Sequence, residues 1–140
     1  MKPRVYATPF EVRDYECDLQ GIVNNAVYLH YLEHARHEVL RAHQLDFAAL
    51  AEQGVHLIVV RLEADYKAPL RSGDRFLVES RIERLSPIRF VFQQAVCRTA
   101  PAPRTLMVQA RVVCAAMDAS GRPIRPPAAL APVLGPAAGD

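Results

Sequence analysis

The pattern of apolar and polar residues at the start of the chain predicts a strand and then a loop. Residues 5–12 (VYATPFEV) carry β-branched and aromatic side chains, which predicts a strand, and Pro9 within them favours a sheet edge or a bulge. Residues 14–24 (DYECDLQGIVN) begin polar and contain Gly21, which indicates a loop. The chain therefore opens with one strand, followed by a loop that leads into the next element.

A segment free of glycine and proline follows, residues 26–43 (AVYLHYLEHARHEVLRAH), and it predicts a long helix with Asn25 as its N-cap. Residues 26–32 are apolar on nearly every side, which is typical of a buried helix. From Glu33 the sequence becomes charged, so this end of the helix is expected to emerge into solvent. Residues 46–53 predict a short second helix, with Gly54 just after its end.

The second part of the chain has the pattern of strands, over residues 56–66, 75–85, 88–98 and 104–117. In residues 75–85 the pattern alternates, with four residues on one face: Phe76, Val78, Ser80 and Ile82. Short turns between the strands predict an antiparallel meander. A sheet curled around one central helix buries that helix, and this is an α+β architecture. The Pro/Ala-rich residues 118–140 are expected to form a loose tail after a domain at 1–117.

Composition narrows the class of protein. The chain has 140 residues, enough for one domain, and 51% are hydrophobic, enough for a substantial core. The net charge of +2 gives no reason to expect a nucleic-acid partner. Neither a secretory signal nor an apolar run long enough to span a membrane is visible. The three cysteines lack C-x-x-C spacing, as expected for reduced thiols, so we expect a soluble cytoplasmic protein.

The loop before the long helix carries the most informative chemistry. Asp18 precedes the predicted helix start by a few residues. Backbone N–H groups at a helix start have no partner within the helix and lie at its positive end, so they can hold a developing oxyanion. A nearby carboxylate can deprotonate a water or attack a carbonyl. Gly21 lets the loop fold back toward the helix.

Two motifs resemble one family. Residues 18–28 read D-x-x-G-I-V-x-N-x-x-Y, which resembles the signature of the 4-hydroxybenzoyl-CoA thioesterase family of hotdog proteins. The longer stretch 12–40 is similar to a branch that includes plant acyl-lipid and dihydroxynaphthoyl-CoA thioesterases. Residues 66–74 follow the Y-x-x-P-L-x-x-G-D pattern of that family. The resemblance covers roughly residues 5–117 and implies a hotdog fold and hydrolysis of an acyl-CoA or acyl-carrier-protein thioester, without metal or cofactor.

The resemblance also assigns roles to particular residues. It implies that Asp18 is the catalytic carboxylate and that the backbone N–H of Asn25 binds the thioester oxygen. The related enediyne-polyketide thioesterases, which lack the acid, use a helix arginine that corresponds to Arg36. Arg36 is therefore a catalytic helper, a structural ion-pair partner, or a surface arginine on the polar half of the helix.

Further residues are expected to contact the substrate. Three of them belong to the first motif: Gly21, Val27 and Tyr28. Three cations are candidates for contacts to the phosphates of the substrate: Lys67, Arg71 and Arg89. Proteins of this family pair their sheets edge to edge, and their active site lies between subunits. The resemblance therefore implies a homodimer or a dimer of dimers.

Two other functions remain open from the residues alone. His30, Glu33 and His34 match H-x-x-E-H, a pattern of zinc peptidases, and the two histidines would share one helix face. A hotdog domain that binds an acyl chain without cleaving it is the non-enzymatic alternative. Cys17 is expected to be an inert thiol, because no base stands at a known spacing from it, and Glu16 a solvated charge.

Overall fold

The computed structural model describes residues 4–134, which form one antiparallel sheet with a long helix packed on its inner face. The elements are β1 (Tyr6–Glu11), α1 (Asn25–Arg41), α2 (Phe47–Glu52), β2 (His56–Tyr66), β3 (Arg75–Arg84), β4 (Arg89–Ala100), β5 (Thr105–Met117), β6 (Pro123–Ile124) and α3 (Ala131–Leu134). Two 3₁₀ turns lie at Asp14–Glu16 and Ala128–Leu130. The predicted α+β architecture is confirmed.

The sheet has the strand order β1-β3-β4-β5-β2, and every pairing is antiparallel. The short β6 pairs with the end of β5. Strands β1 and β2 are therefore the two edges of the main sheet. Three of the four strands form the predicted meander, β3-β4-β5, because the turns between them are short. The expectation that β2 belongs to this meander is wrong, because β2 pairs with β5 at the far edge of the sheet and not with β3, the next strand along the chain.

The core lies between the inner face of the sheet and one face of α1. The alternation predicted in β3 is confirmed, because Phe76, Val78, Ser80 and Ile82 are all buried. Helix α1 contributes buried residues at intervals of three and four positions, as an amphipathic helix does. These are Tyr28, Tyr31, Leu32, Ala35, Arg36, Val39 and Leu40.

Two expectations about α1 are wrong. The N-cap is Asn24, whose side chain accepts a hydrogen bond from the N–H of Ala26, and Asn25 is the first helical residue. The charged second half of α1 does not emerge into solvent as a whole, because one of its faces packs on the sheet. Arg36 lies on that face and is only 6% exposed, so it is not a surface arginine.

Residues 118–134, the described part of the predicted tail, return to the core. Leu130 and Leu134 are buried and join the apolar cluster formed by Val39, Leu40 and the phenylalanines of β4. The segment differs in this from the loose tail expected from its proline content, because the apolar residues between the prolines find a surface to cover. The last six residues, 135–140, lie outside the described part of the chain.

Candidate active site

The loop before α1 is a closed turn with Asp18 at its base. Cys17 and Val23 form a β-bridge across it, and the N–H of Asp18 donates to the carbonyl of Ile22 over 2.8 Å. Gly21 donates to the carbonyl of Asp18 over 3.0 Å and has φ +79°, a conformation that favours glycine. Asp18 Oδ1 accepts from the N–H of Gln20 at 2.8 Å. The backbone bonds fix the loop, and the bond from Gln20 orients the carboxylate within it.

The start of α1 leaves one backbone N–H group without a hydrogen-bond partner among the described residues. Asn24 Oδ1 caps the N–H of Ala26 at 2.9 Å, and the N–H of Val27 donates to the carbonyl of Asn24 at 2.9 Å. Within residues 4–134, no hydrogen bond takes up the N–H of Asn25. An N–H group at the positive end of a helix is a suitable donor for an oxyanion.

A cavity of about 500 Å³ brings this helix start and the Asp18 loop together. Its lining comes from the loop, the first turn of α1 and the end of β2: Asp18, Ile22, Val23, Asn24, Asn25, Tyr28, Tyr66, Lys67, Ala68 and Pro69. Of the residues predicted from the sequence, the structure therefore gathers Asp18, Asn25, Tyr28 and Lys67 around one space.

The segment after β2 fixes the wall of the cavity. The hydroxyl of Tyr28 accepts from the N–H of Leu70 at 2.9 Å, and Val23 donates to the carbonyl of Leu70 at 2.9 Å. Burial raises the pKa of Tyr28, so this phenol stays neutral near pH 7. The motif residue Leu70 therefore joins the loop and the helix through its backbone.

Cys17 fits the expectation of an unreactive thiol. Burial is the main cause that raises its pKa, which keeps the sulfur protonated near neutral pH. The thiol does not line the cavity that contains Asp18.

Other predicted residues are not brought to this cavity within one chain. Arg36 stands 11 residues after Asn25, a distance of about 16 Å along the helix. Arg89 lies opposite Ala115 of β5, whereas Tyr66, which lines the cavity, lies opposite Val108 of β5. The seven positions between these two partners place Arg89 about 23 Å from the cavity along the sheet.

Three more predicted contacts lie beside the cavity without lining it. Val27 packs against the core, Gly21 shapes the loop, and Arg71 is exposed in the turn after the cavity. Their proposed roles therefore concern the shape or the rim of the site.

Tyr66 is the main lining residue that the sequence did not single out. It is half-exposed, and its hydroxyl donates to the carbonyl of Asn25 over 3.1 Å. Its ring meets the ring of Tyr28 edge-on, with 5.5 Å between centroids. The signal was present, because Tyr66 is the first residue of the Y-x-x-P-L motif.

A larger cavity of about 750 Å³ lies on the other side of the loop, between β1 and α1. His30 and His34 line it, but no group of three metal-ligating side chains occurs in the described part of the chain. The hydroxyl of Tyr31 is buried there without a hydrogen bond of normal geometry, and burial and then the nearby Glu16 raise its pKa. The H-x-x-E-H pattern therefore lacks the third ligand that a zinc site needs.

Residues 12–134 match the family model of the thioesterase-like superfamily. The acyl-acyl carrier protein thioesterase ATL3 of Arabidopsis thaliana is 36% identical over 120 residues, which are 86% of this chain and 62% of the plant protein. The acyl-CoA thioester hydrolase YbgC of Escherichia coli is 30% identical, over 84% of this chain and 86% of the bacterial one. The chain thus spans less than two thirds of the plant protein, but most of YbgC.

The fold is shared with solved structures. The 1,4-dihydroxy-2-naphthoyl-CoA thioesterase Slr0204 from Synechocystis superimposes with a TM-score of 0.87, covering 94% of this chain and 96% of that one. Its sequence is 20% identical, so the likeness concerns the fold. The predicted hotdog fold is confirmed. No helix in residues 4–134 is both long and apolar enough to span a membrane.

Proposed function

The chain belongs to the thioesterase-like superfamily, and from that premise we propose that it hydrolyses acyl thioesters of coenzyme A or of acyl carrier protein. The observation that carries the proposal is the shared cavity of Asp18 and the unbonded N–H of Asn25. A carboxylate and an oxyanion donor at one cavity are what acyl transfer requires.

The proposed chemistry follows from these two groups. The thioester carbonyl lies over the start of α1 with its oxygen on the N–H of Asn25. The carboxylate of Asp18 either takes a proton from the attacking water or attacks the carbonyl carbon itself, forming a mixed anhydride that water then hydrolyses. In both routes the carbonyl oxygen gains negative charge, which the helix start stabilises, and the thiolate leaves. Since a thiolate is a good leaving group, this route needs no metal or cofactor.

Direct measurement of thiol release tests the proposal. The purified protein is offered a panel of acyl-CoAs (benzoyl, hydroxybenzoyl, short, medium and long chain) and matching acyl carrier proteins. We expect one acyl class to be hydrolysed with kcat/KM above about 10⁴ M⁻¹s⁻¹, the lower end of the usual range for enzymes. Binding of an acyl thioester without release of thiol across the whole panel would contradict the proposal and favour the non-catalytic acyl-binding alternative.

We also propose that the working form is a homodimer, or a tetramer of two such dimers. Strand β2 is an edge of the sheet, and three consecutive aliphatic residues on it are substantially exposed: Ile58, Val59 and Val60. A long, apolar edge strand invites pairing with a second strand, and edge-to-edge pairing is what the resemblance implies. The cavity adjoins this edge, because Tyr66 is the last residue of β2 and Lys67 follows it, so a partner subunit paired along β2 would lie next to the cavity.

Replacing Val59 by lysine is expected to convert the dimer into monomers, because a lysine on an edge strand opposes strand pairing. Light scattering at micromolar concentration measures the mass, and the thiol-release assay shows whether activity falls with it. Leu85→Lys is the matched control, since Leu85 is 44% exposed in the β3–β4 turn and Val59 is 45% exposed on the edge. A monomeric wild-type protein, or a Val59→Lys protein of unchanged mass, would contradict this assembly.

We further infer that the protein works in the cytoplasm. Its three cysteines are all free thiols, as a reducing compartment requires.

Lys67, which lines the cavity, and Arg71, exposed in the turn that follows, are the proposed contacts for the phosphates of the substrate. Arg89 would reach a phosphate only from the other end of the sheet, so its proposed contact is with a substrate bound by a second subunit.

A further inference from the structure

The N–H that would bind the thioester oxygen belongs to the first residue of a helix, and helix ends are where the backbone is least constrained. The N–H groups in the first turn of α1 have no carbonyl partners within the helix. The position of this turn therefore depends on hydrogen bonds from other groups. Asn24 supplies one of these through its side chain, which accepts from the N–H of Ala26 at 2.9 Å.

Tyr66 supplies a second bond, to the carbonyl oxygen of the peptide group whose N–H is bonded to Asn24. Its hydroxyl donates to the carbonyl of Asn25 at 3.1 Å. The peptide group between Asn25 and Ala26 is thus held at its oxygen by Tyr66 and at its nitrogen by Asn24. Because that group is attached to the Cα of Asn25, its plane helps to set the direction of the N–H of Asn25.

The ring of Tyr66 is itself held in place. It stands at the end of β2, where its backbone is paired with Val108, and its ring lies edge-on to Tyr28. Tyr28 is buried and bonded to Leu70. Tyr66 therefore connects a rigid strand and a rigid ring to the helix start, and it is also one of the residues that line the cavity.

We propose that Tyr66 is a positioning residue of the active site: its hydroxyl orients the first peptide groups of α1, and so aims the N–H of Asn25 at the thioester oxygen. Tyr66 also lines the cavity beside Asn25. The catalytic effect of Tyr66 rests on the proposed function. Its hydrogen bond and the effect of that bond on the helix start do not depend on the proposed function.

Removing only the hydroxyl tests this role. In Tyr66→Phe, we expect kcat for the preferred thioester to fall about tenfold, less than the loss of an oxyanion donor itself, because the donor is misdirected and not removed. KM is expected to change by less than about twofold, since the ring is retained. Tyr66→Ala, which also removes the ring, is expected to raise KM as well. A merely structural role would instead lower the melting temperature and leave kcat of the folded protein unchanged.

Tyr15→Phe is the matched control, because the hydroxyl of Tyr15 is exposed, bonds to Arg13 and does not line the cavity. The second measurement is the amide NMR spectrum without substrate, where Tyr66→Phe is expected to shift the signals of Asn25 and Ala26 and Tyr15→Phe to leave them in place. Unchanged Asn25 and Ala26 signals, or a wild-type kcat in Tyr66→Phe, would overturn the proposal. If the wild-type protein hydrolyses no thioester, the proposed function fails, and the amide signals alone decide the role of Tyr66.

Discussion

Replacing Asp18 by asparagine is expected to lower kcat/KM for the preferred thioester about 10³-fold, with KM and the melting temperature nearly unchanged. An amide can neither take a proton from water nor attack the carbonyl, so both routes open to Asp18 are lost. The change is otherwise small, because the amide oxygen of asparagine can still accept the hydrogen bond that the N–H of Gln20 gives to Oδ1. Thiol release and thermal unfolding of the same preparation measure the two expectations.

Asp14→Asn provides the matched control for this experiment. Asp14 lies four residues before Asp18, accepts a hydrogen bond from the hydroxyl of Ser72, and does not line the cavity with Asn25. We expect this variant to keep the wild-type rate. An Asp18→Asn protein that also keeps its rate would remove Asp18 from the mechanism, and an equal loss in both variants would show that the loop, and not one carboxylate, is responsible.

Most of the fold was predictable because the strands alternate and their turns are short. The range predicted for the second strand, 56–66, is the observed β2, and the face of β3 predicted to be apolar is the buried one. The burial of helix α1 was harder to predict, because the charged composition of its second half indicates exposure, whereas the spacing of its apolar residues indicates a buried face. Its second half is charged, but Arg36 stands four residues after Leu32 and four before Leu40, and that spacing places it on the buried face.

The site was predictable where a motif is continuous in the sequence. Asp18 in the loop and Asn25 at the helix start lie only seven positions apart, so the resemblance could assign both of them. Tyr66 reaches the same helix start from 41 residues away, and only the folded chain brings it there. Contacts of this kind depend on sheet register and on the path of the chain, which local patterns do not contain.

The largest conflict between sequence and structure is the buried Arg36, whose guanidinium makes no salt bridge in the described part of the chain. Burial lowers its pKa, yet an arginine remains charged at neutral pH. The neighbouring Cys114 offers no negative charge, because burial raises the pKa of its thiol to about 11. Among residues 4–134, one polar side chain bonds to the guanidinium: Gln94 Oε1 accepts from Arg36 Nη1 at 3.1 Å.

Gln94 is also the centre of a wider network. It is 2% exposed, and its Nε2 donates to the carbonyl of Leu32 and to the hydroxyl of Ser80, each at 3.0 Å. One amide thus satisfies a cation on α1, a carbonyl of α1 and a hydroxyl on β3. Because buried polar groups without partners are costly, the stability of the helix–sheet contact depends on this side chain.

Replacing Gln94 by leucine is therefore expected to lower the free energy of unfolding by about 3 kcal/mol, because it leaves the charge of Arg36 buried without its partner. Arg36→Met in the same chain removes that charge, so the double variant is expected to be more stable than Gln94→Leu alone, with a coupling of about 1–3 kcal/mol. Urea unfolding measures this at one fixed protomer concentration, since unfolding of an oligomer depends on concentration.

Gln93→Leu is the control for the network, because it makes the same chemical change at the adjacent position, on the opposite face of β4. We expect it to change the free energy of unfolding by less than about 0.5 kcal/mol. Strictly additive losses in the double variant would contradict a network in which Gln94 serves Arg36. Recovery in the double variant would show that the fold tolerates a neutral side chain at position 36.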